Sequence, residues 1–141
     1  MILINPDVIA ALKAHTFALG SVTVKPAFTG TDPTCPMLTL KEQPSNAGVY
    51  IDGMPCAVRN LFTLEAYAKD MTIQGAPISK QDAAMRLLLE ADALLNEQFM
   101  FTMIGPVQPA PYTDSTIFRV VATYFVYIDT RTNTLLRSIQ M

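Results

Sequence analysis

The chain has 141 residues, of which 50% are hydrophobic and 16% are charged, with a formal net charge of −2. This length fits one domain over residues 1–141, with enough apolar residues for a core that needs neither a disulfide nor a metal. The 10 basic residues are scattered, which disfavours binding to a row of phosphates, so no sequence-specific nucleic-acid partner is expected. The charged fraction lies below the roughly 25% typical of soluble domains, which favours a subunit that hides surface against neighbours.

The first helix is predicted to begin at residues 5–7, which read Asn-Pro-Asp. Asn5 can cap a helix, proline suits the first helical position, and aspartate complements the positive helix end. Gly20 is a plausible stop. Residues 21–36 are rich in prolines, which indicates irregular or edge structure.

Two strands are predicted next, a short one over residues 37–43 and a long one over residues 57–69. Between them, residues 44–48 read as a loop, residues 49–51 as a short extended piece and residues 52–53 as a turn. In the long strand, apolar and polar side chains alternate, which predicts one buried and one polar face.

A second helix is predicted from a cap at Ser79 to about Gln98, because Asp82 stands in a capping-box position and apolar residues recur at helical spacing. Arg86 is spaced to pair with Asp82 and with Glu90 on the outer face. The apolar stripe comprises Ala84, Leu87, Leu88, Ala91, Leu94 and Leu95.

The last third of the chain predicts a strand over residues 99–104, a rigid proline loop over residues 105–111 and the longest strand over residues 116–129. That strand is apolar on both faces, so it is either central in the sheet or covered by a neighbouring subunit. A loop over residues 130–133 and a final strand over residues 135–139 complete a hairpin. The order of elements predicts an α+β fold, with a mostly antiparallel sheet of four to five strands and two helices packed on one face.

Candidate catalytic, cofactor-binding and metal-ligating residues do not emerge from the sequence. The glycines form neither of the two phosphate-binding motifs, GxGxxG and GxxxxGK. The single histidine, His15, sits near the predicted end of a helix, which favours a structural role, and the two cysteines read as reduced thiols. The carboxylates Glu42, Asp52, Glu65 and Asp70 show no catalytic spacing. Neither a signal peptide nor a membrane span is evident, so a soluble protein made in the cytoplasm is expected.

From about residue 57 onward, the chain resembles the tail terminator, or tail-completion, proteins of long-tailed bacteriophages. The resemblance lies in the long strand "LFTLEAYAKD", the capped helix "SKQDAAMRLLLEADALLNEQF" and the segment "DSTIFRVVATYFVYIDTRTNTLLR". Its pattern of an arginine-bearing strand and a hairpin falls on Arg119, Tyr124, Asp129 and Asn133. The "LTLKEQ" segment suits the first strand of this family.

This resemblance implies a structural protein of the virion, in the tail or neck, that is assembled in the host cytoplasm and is not an enzyme. Such proteins form a ring, commonly of six subunits, that ends polymerisation of the tail tube and joins the tail to the head connector. The implied partners are other copies of the chain, the tail tube protein and the connector or stopper protein, while DNA passes through the ring. No cofactor and no membrane is implied.

A ring requires a head-to-tail interface that closes. The polar face of the 57–69 strand and the two-sided apolar strand supply the candidate interface residues, and reversing the charge of Arg59 or Glu65 is predicted to weaken assembly. These candidates are Arg59, Glu65, Tyr67, Arg119, Phe125 and Tyr127. The alternatives are another phage head–tail connector or adaptor and a small α+β ligand-binding domain or enzyme.

Overall fold

The computed structural model describes residues 4–27, 33–43, 48–51, 54–129 and 135–136. The predicted loop at residues 44–48 (apart from residue 48), the turn at residues 52–53, the hairpin loop at residues 130–133 and the end of the last strand at residues 137–139 lie outside these ranges. The described elements, in chain order, are α1 Asn5–Ala14, β1 Thr23–Lys25, β2 Met37–Gln43, β3 Gly48–Ile51, β4 Met54–Ala68, β5 Met71–Ile73, β6 Ala76–Ile78, α2 Lys80–Phe99, β7 Thr102–Ala110, β8 Phe118–Asp129 and β9 Leu135–Leu136.

The described strands form one large sheet in the order β1-β2-β4-β8-β7, with β3 paired to the start of β4 and β9 to the end of β8. Every neighbouring pair is antiparallel except β1 and β2. Both helices share one hydrophobic core with the same face of this sheet, which we call the inner face. The predicted α+β fold, with a mostly antiparallel sheet and helices on one face, is therefore confirmed.

The start of α1 is capped differently from the prediction. Asn5 is already helical, and the carboxylate of Glu42 on β2 accepts hydrogen bonds from the backbone N–H groups of Ile4 and Asn5, at 3.0 and 2.8 Å. The Asn5 amide instead donates to the carbonyl of Leu40. The helix ends at Ala14, and Gly20, with φ of +101°, belongs to a later tight turn. The predicted Asn5 cap and Gly20 stop were therefore wrong.

Helix α2 follows its sequence signals closely. The Ser79 hydroxyl accepts from the backbone N–H of Asp82, and the predicted apolar stripe is buried. The helix ends one residue later than predicted, where Met100 adopts a left-handed conformation with φ of +59°. The predicted pairing of Arg86 with Glu90 is absent from the described contacts, because Glu90 accepts hydrogen bonds from His15 and from the backbone of Ala18 instead.

A small hairpin, β5–β6, precedes α2 and was not predicted. Gln74 and Gly75 both have positive φ, at 50° and 82°, as the tight hairpin turn with two left-handed residues requires. The Gly-Ala-Pro sequence at residues 75–77, which suggests a chain break, therefore holds the end of this turn and the start of the second strand of the hairpin.

Strand β7 occupies most of the predicted proline loop. Phe99 is the last residue of α2, and the strand runs to Ala110 through Pro106 and Pro109. A register shift between Ile104 and Gln108 accommodates this segment. Prolines are tolerated here because β7 borders β8 on one side only, and edge strands and bulges are where sheets accept proline.

Strand β8 lies between β4 and β7, and its inner face is apolar because it packs in the core that the sheet shares with the helices. It has 12 residues and is shorter than β4 with 15, so the prediction that it is the longest strand was wrong. Its fully buried Tyr124 donates a hydrogen bond of 2.8 Å to Asp92 on α2, which links sheet and helix. Burial and the Asp92 carboxylate both raise the pKa of Tyr124 well above its ordinary range.

Candidate interaction surface

The six residues predicted at a subunit interface all lie on the face of the sheet opposite the helices, which we call the outer face. They do so because alternate residues of β4 and β8 point to the same side and the two strands pair in register. The register pairs that contain these six residues are Arg59 with Tyr127, Leu61 with Phe125, Glu65 with Val121, and Tyr67 with Arg119, and the pair of Ala57 with Asp129 lies beside the first of them on the same face. The pair formed by Thr63 and Thr123 divides them into two groups with different surroundings.

The first group is open to solvent, and we call it the aromatic patch: Arg59, Leu61, Phe125 and Tyr127. Arg59 is exposed and the other three side chains are half-buried. The Arg59 guanidinium lies 5.9 Å from the centre of the Phe125 ring, and the Phe125 and Tyr127 rings meet edge to face with centres 5.4 Å apart. Grouped apolar side chains that a fold leaves partly exposed are typical of interaction surfaces.

The second group is partly covered by the chain itself. Tyr67 is only 2% exposed, because the segment after β7 folds over it and places the Tyr112 ring edge to face, 5.6 Å away. The Arg119 guanidinium lies within 6 Å of both rings and donates to the carbonyl of Pro111. Its nearest contact with Glu65 is a long ion pair of 4.0 Å. The Tyr67 side chain is therefore internal to the monomer, whereas Glu65 and Arg119 stay partly accessible.

Glu65 is held in place by contacts within the chain. Its carboxylate accepts hydrogen bonds from the hydroxyl groups of Tyr67, at 2.5 Å, and Thr39, at 3.4 Å. Reversing its charge would disturb this cluster as well as any partner contact. Arg59 lies over the Phe125 ring and forms no ion pair with the described residues, so it is the cleaner position for testing assembly.

Burial, followed by the hydrogen bond to Glu65, raises the pKa of Tyr67 to about 12. Arg119 opposes this shift because its positive charge favours the phenolate. The folded protein thus holds this proton more tightly than the unfolded chain, in which tyrosine titrates near pH 10.

We expect this difference to appear as alkaline destabilisation. The stabilisation linked to the Tyr67 proton is complete below pH 10 and is lost as the pH rises towards 12, at a limit of roughly 1.4 kcal/mol per pH unit. Urea unfolding should be measured from about pH 9 to pH 12, a range that includes the pKa of tyrosine in the unfolded chain and that of Tyr67 in the folded protein. Over this range the free energy of unfolding should fall more steeply with pH in the wild type than in Tyr67→Phe. Equal slopes in the two proteins would contradict the buried Tyr67–Glu65 contact.

Most of the covering segment, residues 111–117, belongs to the loop over residues 105–116, which the sequence predicts as a candidate for contacts with partners. Its Asp114 carboxylate accepts hydrogen bonds from the backbone and the hydroxyl of Thr116, which together lower the pKa of Asp114. The Lys80 ammonium at the start of α2 donates to the carbonyl of Ser115. The Asp-Ser-Thr turn was a readable local signal, but nothing local indicates that Tyr112 covers Tyr67.

The described clefts are shallow. One, with a volume of about 300 Å³, lies beside Arg119 on the covered end of the outer face. It is lined by Pro109, Ala110, Pro111, Tyr112, Ile117, Phe118 and Arg119. Arg119 is the one ionisable side chain with a permanent charge in this lining, so the cleft holds no group of convergent acids and bases.

The remaining polar residues considered for chemistry have structural partners where they are described. His15 contacts Glu90 at 2.7 Å and packs edge to face on Phe17. Glu42 caps α1, and Asp70 accepts from the backbone N–H of Lys80 at the start of α2. Asp52 lies outside the described residues.

Over the described ranges, no three histidine, cysteine, aspartate or glutamate side chains group as metal ligands would. Neither described helix combines the length and apolar character needed to cross a membrane. Comparison with known proteins adds no relative: no protein-family model and no curated protein matches the chain.

Proposed function

We propose that this chain is a virion structural protein that forms a ring at the head–tail neck of a long-tailed bacteriophage. The ring would end polymerisation of the tail tube and join the tail to the head connector. The observation that carries the proposal is the outer face of the sheet, where the aromatic patch lies open although both helices pack on the inner face.

The side chains on this face favour association of the protein over the monomeric state. Leu61, Phe125 and Tyr127 are large side chains on two adjacent strands, and each keeps part of its surface in water. Removing such surface from water is favourable by roughly 25 cal/mol per Å². With only 16% charged residues, the chain has few groups with which to solvate an isolated surface. A subunit of a closed assembly needs fewer charged groups, because its neighbours cover part of its surface.

The order of elements supports the same proposal. After the long strand β4 and the short β5–β6 hairpin come the capped helix α2, the edge strand β7 and the arginine-bearing strand β8; the order of long strand, helix and two strands is typical of tail terminators. In this reading the partners are other copies of the chain, the tail tube protein on one side of the ring and the connector on the other. DNA passes through the ring, and neither a cofactor nor a catalytic residue takes part.

The oligomeric state tests the proposal most directly. Native mass spectrometry and light scattering over a range of concentrations are expected to show a ring, most simply a hexamer. A monomer that assembles on purified tail tubes would also support the proposal, since the tube then acts as the template. A monomer that binds neither tail tube nor connector protein in a pulldown would overturn it, and binding to the connector alone would favour an adaptor.

A further inference from the structure

The free edge of strand β7 is a place where a strand of another chain could add to the sheet. Among the described strands, β7 has β8 as its only neighbour, and residues 104–106 and 108–109 of its nine residues are exposed. Ile104 in this stretch is one of three large hydrophobic side chains that are exposed in the described ranges. A long, exposed and partly apolar edge strand is a template for pairing with other chains.

Three residues of β7 obstruct such pairing. Gly105 has a positive φ of 70°, and a Cβ there would meet nothing within 4 Å, so the glycine serves the backbone turn rather than close packing. This turn lies within the register shift between Ile104 and Gln108, and such irregularities bend a strand. Pro106 and Pro109 have no N–H group with which to bond an incoming strand.

The nitrogen of Pro109 faces the free edge rather than β8. Pro109 pairs in register with Val120 although it has no N–H to donate. The hydrogen bonds to β8 on this stretch therefore come from its neighbours, Gln108 and Ala110, because bonded and non-bonded pairs alternate along an antiparallel ladder. The backbone groups of a non-bonded pair point away from the partner strand. The proline thus removes a donor from the free edge without removing a bond from the sheet.

The opposite edge of the sheet is obstructed by different means. The last described strand there is β1, which has three residues and ends at the exposed Lys25, immediately before Pro26. Very short edge strands, lysine and proline all discourage edge pairing. Both edges of the described sheet therefore disfavour an added strand, whereas the aromatic patch on its outer face stays open.

We propose that Gly105, Pro106 and Pro109 close the free edge of β7 against strands of other chains, above all against the β7 strand of a second copy. Without them, two β7 strands could pair antiparallel, edge to edge, and join the monomers or the rings that carry them. This inference goes beyond the proposed ring and does not depend on it, because the ring contact is expected on the outer face of the sheet and not at its edge.

Replacing the two prolines tests the proposal. The double variant Pro106→Thr/Pro109→Val introduces residues that favour strands, and it restores the edge donor at position 109. With one such donor regained on each of two copies, edge pairing should strengthen at least about tenfold. Sedimentation velocity is expected to show species larger than any that the wild type forms at the same concentration. In these species the amide at position 109 should exchange slowly with solvent.

Two further variants separate edge pairing from a loss of folding. Pro111→Thr is the matched control, because Pro111 is exposed and follows directly after β7, and this variant should sediment like the wild type. Gln108→Lys, added to the double variant, places a charge on the reopened edge and should return it to the species that the wild type forms. The urea midpoint of the double variant should stay within about 0.5 M of the wild-type value.

A folded double variant that sediments like the wild type would overturn the proposal. Larger species that Gln108→Lys does not suppress would also overturn it, since they would not arise from the edge. A double variant with a much lower urea midpoint would show that the prolines support the fold itself, which again overturns the proposal. Whether the wild type forms a ring is read from the wild-type species alone, so the two proposals stand or fall separately.

Discussion

Replacing Leu88 by aspartate is expected to abolish folding of the subunit. Leu88 is fully buried in the middle of α2, within the single large core that the helices form with the inner face of the sheet. Aspartate at this position would bury a carboxylate without a charged partner and would remove the packing of a leucine. We expect a loss of at least about 4 kcal/mol, which is close to the whole stability of a small domain.

The neighbouring residue provides the matched control. Leu89 is 50% exposed on the other side of the same helix turn, so Leu89→Asp should change the free energy of unfolding by no more than about 1 kcal/mol. Circular dichroism and urea unfolding should be recorded at low concentration, where association does not contribute. Equal stability of the two variants would contradict the placement of α2 on the sheet.

The sequence predicts β2 and α2 to within one residue because their signals are local. The hydroxyl of Ser79 and the backbone of Asp82 are three residues apart, and the stripe of α2 repeats every turn. The alternation in β4 likewise predicts which of its residues face outward, and the register between β4 and β8 brings the three candidates of each strand to one face. Each of these signals is readable within a few residues of the feature it specifies.

The errors fall where the deciding contact comes from elsewhere in the chain. Met100 ends α2 in a left-handed conformation. Glycine is the usual residue at such a position, so the sequence gives no signal for it here. The prolines of β7 suggest a loop, but the strand pairs with β8 on one side only, and its register shifts between Ile104 and Gln108, where Gly105 has a positive φ. No local pattern distinguishes an edge strand of this kind from an extended loop.

For the candidate surface as well, local signals are predicted from the sequence and contacts between distant residues are not. Periodicity predicts that Tyr67 faces away from the helices, but not that Tyr112, which is 45 positions away in the printed sequence, covers it. At the covered end of the outer face, Glu65 and Arg119 form hydrogen bonds within the chain, whereas the aromatic patch stays open. Under the proposed function, a partner is therefore expected to dock near Phe125 rather than near Tyr67.

The second large effect is expected from Glu42→Ala, because one carboxylate on β2 supports three separate donors. It accepts from the backbone N–H groups of Ile4 and Asn5 at the start of α1 and, at 2.7 Å, from the amide of Asn60. Asn60 is 1% exposed on the inner face of β4. A carboxylate at a helix N-terminus also interacts favourably with the helix dipole. Hydrogen bonds to charged groups contribute about 1.5–3 kcal/mol each when tested singly, so we expect a total loss of about 3 kcal/mol after partial rehydration of the exposed donors.

Gln43→Ala is the control, since Gln43 is the adjacent, exposed residue of the same strand; it should change the free energy of unfolding by about 0.5 kcal/mol or less. Glu42→Gln keeps the size and one acceptor oxygen but places an NH₂ group against N–H donors, so its loss should fall between the two. Hydrogen exchange locates the effect: amides of α1 should lose protection in Glu42→Ala more than those of α2, whose cap at Ser79 is untouched. Uniform loss of protection in both helices would mean that Glu42 supports the fold through Asn60 and β4 alone, and that α1 does not depend on its cap from β2.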